Sequence, residues 1–92
     1  MFYKNMLFKF RADNEVITVP CKTIRNLRRA YDGLLRVSTN DYVLHTISMP
    51  DEIIDDVVKY YDEWLWETDN SIKVVEFTSY SNISRLNLGD EE

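Results

Sequence analysis

Apolar and polar side chains alternate along the first eleven residues. Phe2, Met6, Phe8 and Phe10 share one parity with Lys4, and Tyr3, Asn5, Leu7, Lys9 and Arg11 hold the other. A period of two with aromatics predicts a strand whose Phe/Met side faces inward. Ala12–Glu15 reads as a turn, because Asp13 and Asn14 tolerate left-handed backbone. Val16–Val19, β-branched throughout and stopped by Pro20, completes a hairpin. Thr23 then stands as a helix cap, with Ile24, Leu27, Tyr31 and Leu34 at helical spacing behind it and Gly33 as the stop. Val37–Asp41 reads as a loop and Tyr42–Met49 as a third strand ending at Pro50.

The clearest pattern follows that proline. At about 100° per residue, Ile53, Ile54, Val57, Val58, Tyr61, Trp64 and Leu65 fall on one helical face. Asp51, Glu52, Asp55, Asp56, Lys59, Asp62 and Glu63 fill the other. Acids in the first turn suit the positive end of the helix dipole. Tyr60 lies on the stripe's boundary, and Trp66 points out among the acids. Glu67–Lys73 reads as a loop, Val74–Phe77 as a short extended segment, and Ser81–Leu88 as a short helix ended by Gly89. The tail Asp90–Glu92 is expected to fray. Phe8, Phe10, Val16, Ile24, Leu27, Val57, Val58 and Tyr61 are the expected core. Residues 1–92 form one domain of the α+β class: a small three-stranded, mostly antiparallel sheet with two to four helices packed on it.

Composition narrows the function. Of 92 residues 45% are hydrophobic and only two are glycine, so the chain can build a core and holds no glycine-rich phosphate loop. One cysteine, Cys21, makes no internal disulfide and fits a reducing compartment, cytoplasm or nucleus. No apolar run approaches a membrane span, and the start lacks the unbroken apolar stretch of a signal peptide. Asn82-Ile83-Ser84 matches a glycosylation sequon by chance in such a chain. Residues 1–40 hold eight Lys/Arg against three acids, whereas residues 41–92 hold three against thirteen.

One His and one Cys cannot build a zinc site, and no metal or other cofactor is expected. Cys21 with His45 as a nucleophile pair would need a third group and a cleft; the ordinary readings are a small buried thiol and a strand histidine. Asp51, Glu52, Asp55 and Asp56 are the solvated face of their helix. The chain is therefore expected to be no enzyme. Lys22, Arg25, Arg28, Arg29 and Arg36 form a basic patch able to grip phosphates, but the acidic half argues against nucleic acid.

The order of the pieces resembles the BTB/POZ-type adaptors of cullin ubiquitin ligases, the family of elongin C. The resemblance rests on Thr23-Ile24-Arg25-Asn26-Leu27 and on Met49–Tyr61, with Glu76-Phe77 and Ile83 at matching places, and covers roughly residues 6–86. It implies a BTB/POZ-like fold, a non-catalytic adaptor role linking substrate receptors to a ligase, and cullin-like, elongin B-like or receptor-helix partners. It also leaves a homodimer open. The implied groove lies between the Tyr60 helix and the segment Phe77–Leu86. Tyr60, Trp64, Trp66, Phe77 and Tyr80 would be its aromatic anchors, with Ile83 and Leu86 as the far wall. Tyr60 and Phe77 could equally close the small core. From another class, a small acidic regulator of a viral kind that binds or mimics nucleic acid fits the carboxylate rows.

Overall fold

The computed structural model describes residues 5–66, 72–79 and 81–88. Residues 1–4, residues 67–71 of the loop after the helix, Tyr80, and Gly89 with the tail Asp90–Glu92 lie outside the described residues. Seven strands and one α-helix are present among those described, in two sheets of three and four strands. This overturns the expected three-stranded sheet under several helices, and with it the BTB/POZ-like architecture.

The first sheet begins as the alternation predicts. In β1 (Asn5–Arg11) Met6, Phe8 and Phe10 are buried, and β2 (Val16–Pro20) returns antiparallel with Phe8 opposite Val19 and Phe10 opposite Ile17. The hairpin tip is tied down from outside. The Asn14 side-chain amide donates to the Ile83 carbonyl at 3.4 Å and its oxygen accepts the Ile83 N–H at 3.1 Å, while Arg85 meets Glu15 at 2.7 Å. The other neighbour of β1 is β6 (Ile72–Thr78), which runs parallel to it with Phe10 opposite Phe77. The sheet order is β2-β1-β6, so β6 is an edge among the described residues.

Thr23 is not a helix cap: it ends a single 3-10 turn, Cys21–Thr23, and donates from its hydroxyl to the Pro20 carbonyl at 2.7 Å. The chain then enters β3 (Ile24–Arg29), not a helix. β3 pairs with β4 (Leu35–Thr39), and a β-bulge sets Arg25 and Asn26 opposite one partner residue. The extra residue puts Ile24, opposite Thr39, and Leu27, opposite Val37, on the same inward side. A spacing of three on one face is thus produced by a bulged strand, which is why it imitates a helical turn. Gly33, expected to end the helix, turns a hairpin instead: its φ is +85°, and its N–H reaches the Ala30 carbonyl at 2.9 Å.

β5 (Val43–Ile47) continues antiparallel from β4, so Val37–Thr39 is strand and only Asn40 and Asp41 remain of the expected loop. β7 (Ser84–Asn87) pairs with β5 in place of the expected terminal helix. Its four residues are all exposed, and the unfilled ladder of β5 decides their conformation over weak local preference. The second sheet therefore runs β3-β4-β5-β7.

The helix α1 (Asp51–Trp66) forms where the sequence predicts it. It packs with Ile54 and Val57 fully buried, and Arg29 holds its first turns by donating to the Asp51 carbonyl at 2.9 Å and pairing with Asp55. Its buried face is rotated from the expected one. Tyr60 packs against the core, whereas Val58 and Leu65 stand 39% and 47% exposed. Val16 is also exposed, and Leu27 and Tyr61 are half-buried. Both sheets and α1 close on one cluster, centred on Phe8, Phe10, Leu35, Ile47 and Val57.

Candidate functional site

Among the described residues the expected groove is not formed. Phe77 is 6% exposed and sits among the other rings, 5.5 Å from Phe8 edge-on and 5.7 Å from Phe10 in a stack. Tyr60 does reach Phe77, at 6.1 Å edge-on, but as a lid on this cluster. Ile83 is buried, while Leu86, on β7, is 57% exposed. Residues three apart on extended chain face opposite sides, so the two cannot form a wall together. Trp64 is half-buried and stacks on Tyr61 at 5.7 Å, and Trp66 projects from the helix end, 81% exposed. Tyr80 lies outside the described residues.

The five basic residues separate. Arg29 turns to the helix, and Lys22 sits on the 3-10 turn beside Leu7 and Pro20. Arg28 and Arg36 remain together, directly opposite each other on the outer face of the four-stranded sheet. Arg25, at the bulge, lies over the Tyr42 ring with its guanidinium carbon 4.8 Å from the centroid. Tyr42 has φ +62°, a left-handed position in the β4–β5 turn.

A cleft of about 310 Å³ opens between β2 and the β4–β5 turn, walled by Thr18, Thr23, Thr39, Asn40, Asp41 and His45 among others. Two of its hydroxyls are engaged: Thr39 donates to Asp41 and lies 3.3 Å from the Val43 carbonyl, and Thr23 donates to the Pro20 carbonyl. His45 is 9% exposed, and its Nδ1 is buried with no hydrogen-bond partner. Burial first, and Arg85 second, lower its pKa, while Asp41 and Glu15 oppose them. Cys21 is buried, and desolvation pushes its thiol up to about 12, which keeps it protonated and unreactive. Among the described residues no three His, Cys, Asp or Glu side chains converge to hold a metal ion.

His45 gives the fold an acid-sensitive point. The unfolded imidazole titrates near 6.5 and the folded one lower, so the unfolded chain binds more protons between the two values. Stability is complete above about pH 6.5 and falls as pH drops toward the folded pKa. Asp32, held low by Arg36, Asp41, held low by the Thr39 hydroxyl, and Glu76, held low by Arg11, lose their contribution in a more acidic range. Urea midpoints of the parent should therefore fall between pH 7.5 and 5, and those of His45→Leu should stay nearly level. An equal fall in both would assign the acid sensitivity to other groups.

A surface that the sequence reading passed over is the uncovered side of the three-stranded sheet. The register sets Leu7 between Pro20 and Val74, with Ile72 opposite Asn5. Ile72 is 74% and Val74 56% exposed, and a hollow of about 200 Å³ lies beside Leu7, Pro20, Lys22 and Ile72. The signal was the alternation Ile72-Lys73-Val74, hidden because Ile72 and Lys73 read as the end of a loop. Farther along the same face, Arg11 and Glu76 pair at 2.8 Å. No described helix is long and apolar enough to cross a membrane. Comparison with protein-family models, curated proteins and solved structures finds no match to this chain.

Proposed function

We propose that the chain is a non-catalytic protein-interaction module, acting inside the cell, that receives an extended segment of a partner protein along β6. The observation that carries this reading is the row of exposed apolar side chains on an edge strand, Ile72 and Val74, continuous with Leu7 and Pro20. An edge strand offers unpaired backbone donors and acceptors, and an added strand satisfies them while its alternate side chains fill apolar positions beside it. Lys73 and Glu76 on β6 are the kind of charges that limit indiscriminate edge pairing. The buried, protonated Cys21 suits a reducing compartment.

The partner segment is an extended peptide with apolar residues at alternate positions. Peptides selected from a random library against the purified protein should show that alternation. Their binding should weaken by at least about tenfold on Val74→Lys and on Ile72→Lys, with melting nearly unchanged. Backbone amides of β6 should gain hydrogen-exchange protection in the complex. A library that yields no binders, or binders indifferent to both substitutions, refutes the proposal. Sedimentation run beside the titration identifies a second copy as the occupant if a dimer forms and the same substitutions abolish it.

A further inference from the structure

We propose that the outer face of the four-stranded sheet is a phosphate site, with Arg28 as the principal anion-binding residue. Arg28 and Arg36 are direct cross-strand partners on this face. Like charges in that relation repel, and an anion beside them relieves the repulsion. Arg36 has one: Asp32 accepts from its two terminal nitrogens at 3.0 and 2.8 Å and also accepts the Leu34 N–H at 3.1 Å. Arg28 has none among the described residues.

The hollow beside Arg28 is built for more than a bare ion. It measures about 160 Å³ and is walled by Asn26, Arg28, Arg36, Ser38, Leu44 and Leu88. Asn26 and Ser38, opposite each other in the ladder, offer an amide and a hydroxyl next to the guanidinium. Leu44 and Leu88 make the opposite wall apolar, and the Leu88 N–H holds the Tyr42 carbonyl at 2.6 Å, keeping that wall in place. A charged donor, two neutral polar groups and an apolar surface together suit a phosphate ester carrying a flat or hydrophobic body, as in a nucleotide. The net charge of −5 repels a long polyanion, so the unit recognised is one phosphate, from a free nucleotide or from one position of a short strand.

The test is an amide-resolved NMR titration of the whole chain with inorganic phosphate, a nucleoside 5′-monophosphate and a short oligothymidylate. Saturable shifts are expected at Asn26, Arg28 and Ser38. Arg28→Gln should weaken binding by about tenfold or more, and Lys22→Gln, on the 3-10 turn beside the other sheet, should leave it unchanged. The source follows from the ranking: the monophosphate above inorganic phosphate identifies a nucleotide, and the oligothymidylate above both identifies a strand, with a salt slope near −0.7 for one phosphate. Equal affinity for inorganic phosphate and the monophosphate identifies the free ion. No saturable shift at these amides with any of the three, or equal losses in Arg28→Gln and Lys22→Gln, overturns the proposal.

Discussion

Phe77→Ala is expected to cost about 3–5 kcal/mol of stability, the usual range for emptying a buried phenylalanine site. The ring touches Phe8, Phe10 and Tyr60, and β6 is fixed to β1 through the same register, so the cavity cannot close without moving the edge strand. In a domain of this size each kcal/mol lowers the melting temperature by about 4–8 °C, and the variant should melt well over 10 °C early or fail to fold. Tyr60→Ala removes only the lid and should cost less. A Phe77→Ala protein that melts like the parent would show that the three-ring cluster is not part of the core. Such a result would restore the groove, in which Phe77 was expected to act on binding rather than on folding.

Val57→Asp is the second large effect. The side chain is fully buried, and the apolar cluster around it offers no partner for a carboxylate. The group must stay protonated or remain charged in a dry site, and either costs several kcal/mol. Val58→Asp is the informative neighbour. Val58 is 39% exposed, beside acids that already face water, so its substitution should shift melting by little. Thermal melts of the two variants side by side read the rotation of the buried face directly. Equal destabilisation would place Val58 in the core after all.

What could be read without coordinates was what the chain decides locally. The β1–β2 hairpin and α1 carry their own signals, alternation around Asp13-Asn14 in one case and Pro50 with an acid-rich first turn in the other. β3 and β7 carried misleading ones. In β3 a bulge converted the strand period into a spacing of three, and Gly33 served a hairpin where it would equally have ended a helix. In β7 the deciding partner, β5, lies some forty residues away, and pairing across that distance leaves no local trace. The site suffered from the same cause. Tyr60 was placed correctly against Phe77, but the partner that buries Phe77 is the β1 strand of phenylalanines, brought alongside by a parallel pairing that no periodicity announces. Arg28 and Arg36 were visible only as members of a basic set; the β3–β4 ladder selects them from it.

The bulge at Arg25–Asn26 also makes the length of the chain elastic at one point. Taking Arg25 out leaves Ile24 opposite Thr39 and Asn26 opposite Ser38, so every other side chain keeps its inward or outward direction. Removing a residue from the regular part of β3 would instead slip the register and turn its neighbours inside out. A version of this chain one residue shorter at this position can therefore keep the fold. With Arg25 deleted the run becomes Ile-Asn-Leu-Arg-Arg, an alternation, and the helical disguise disappears with the residue.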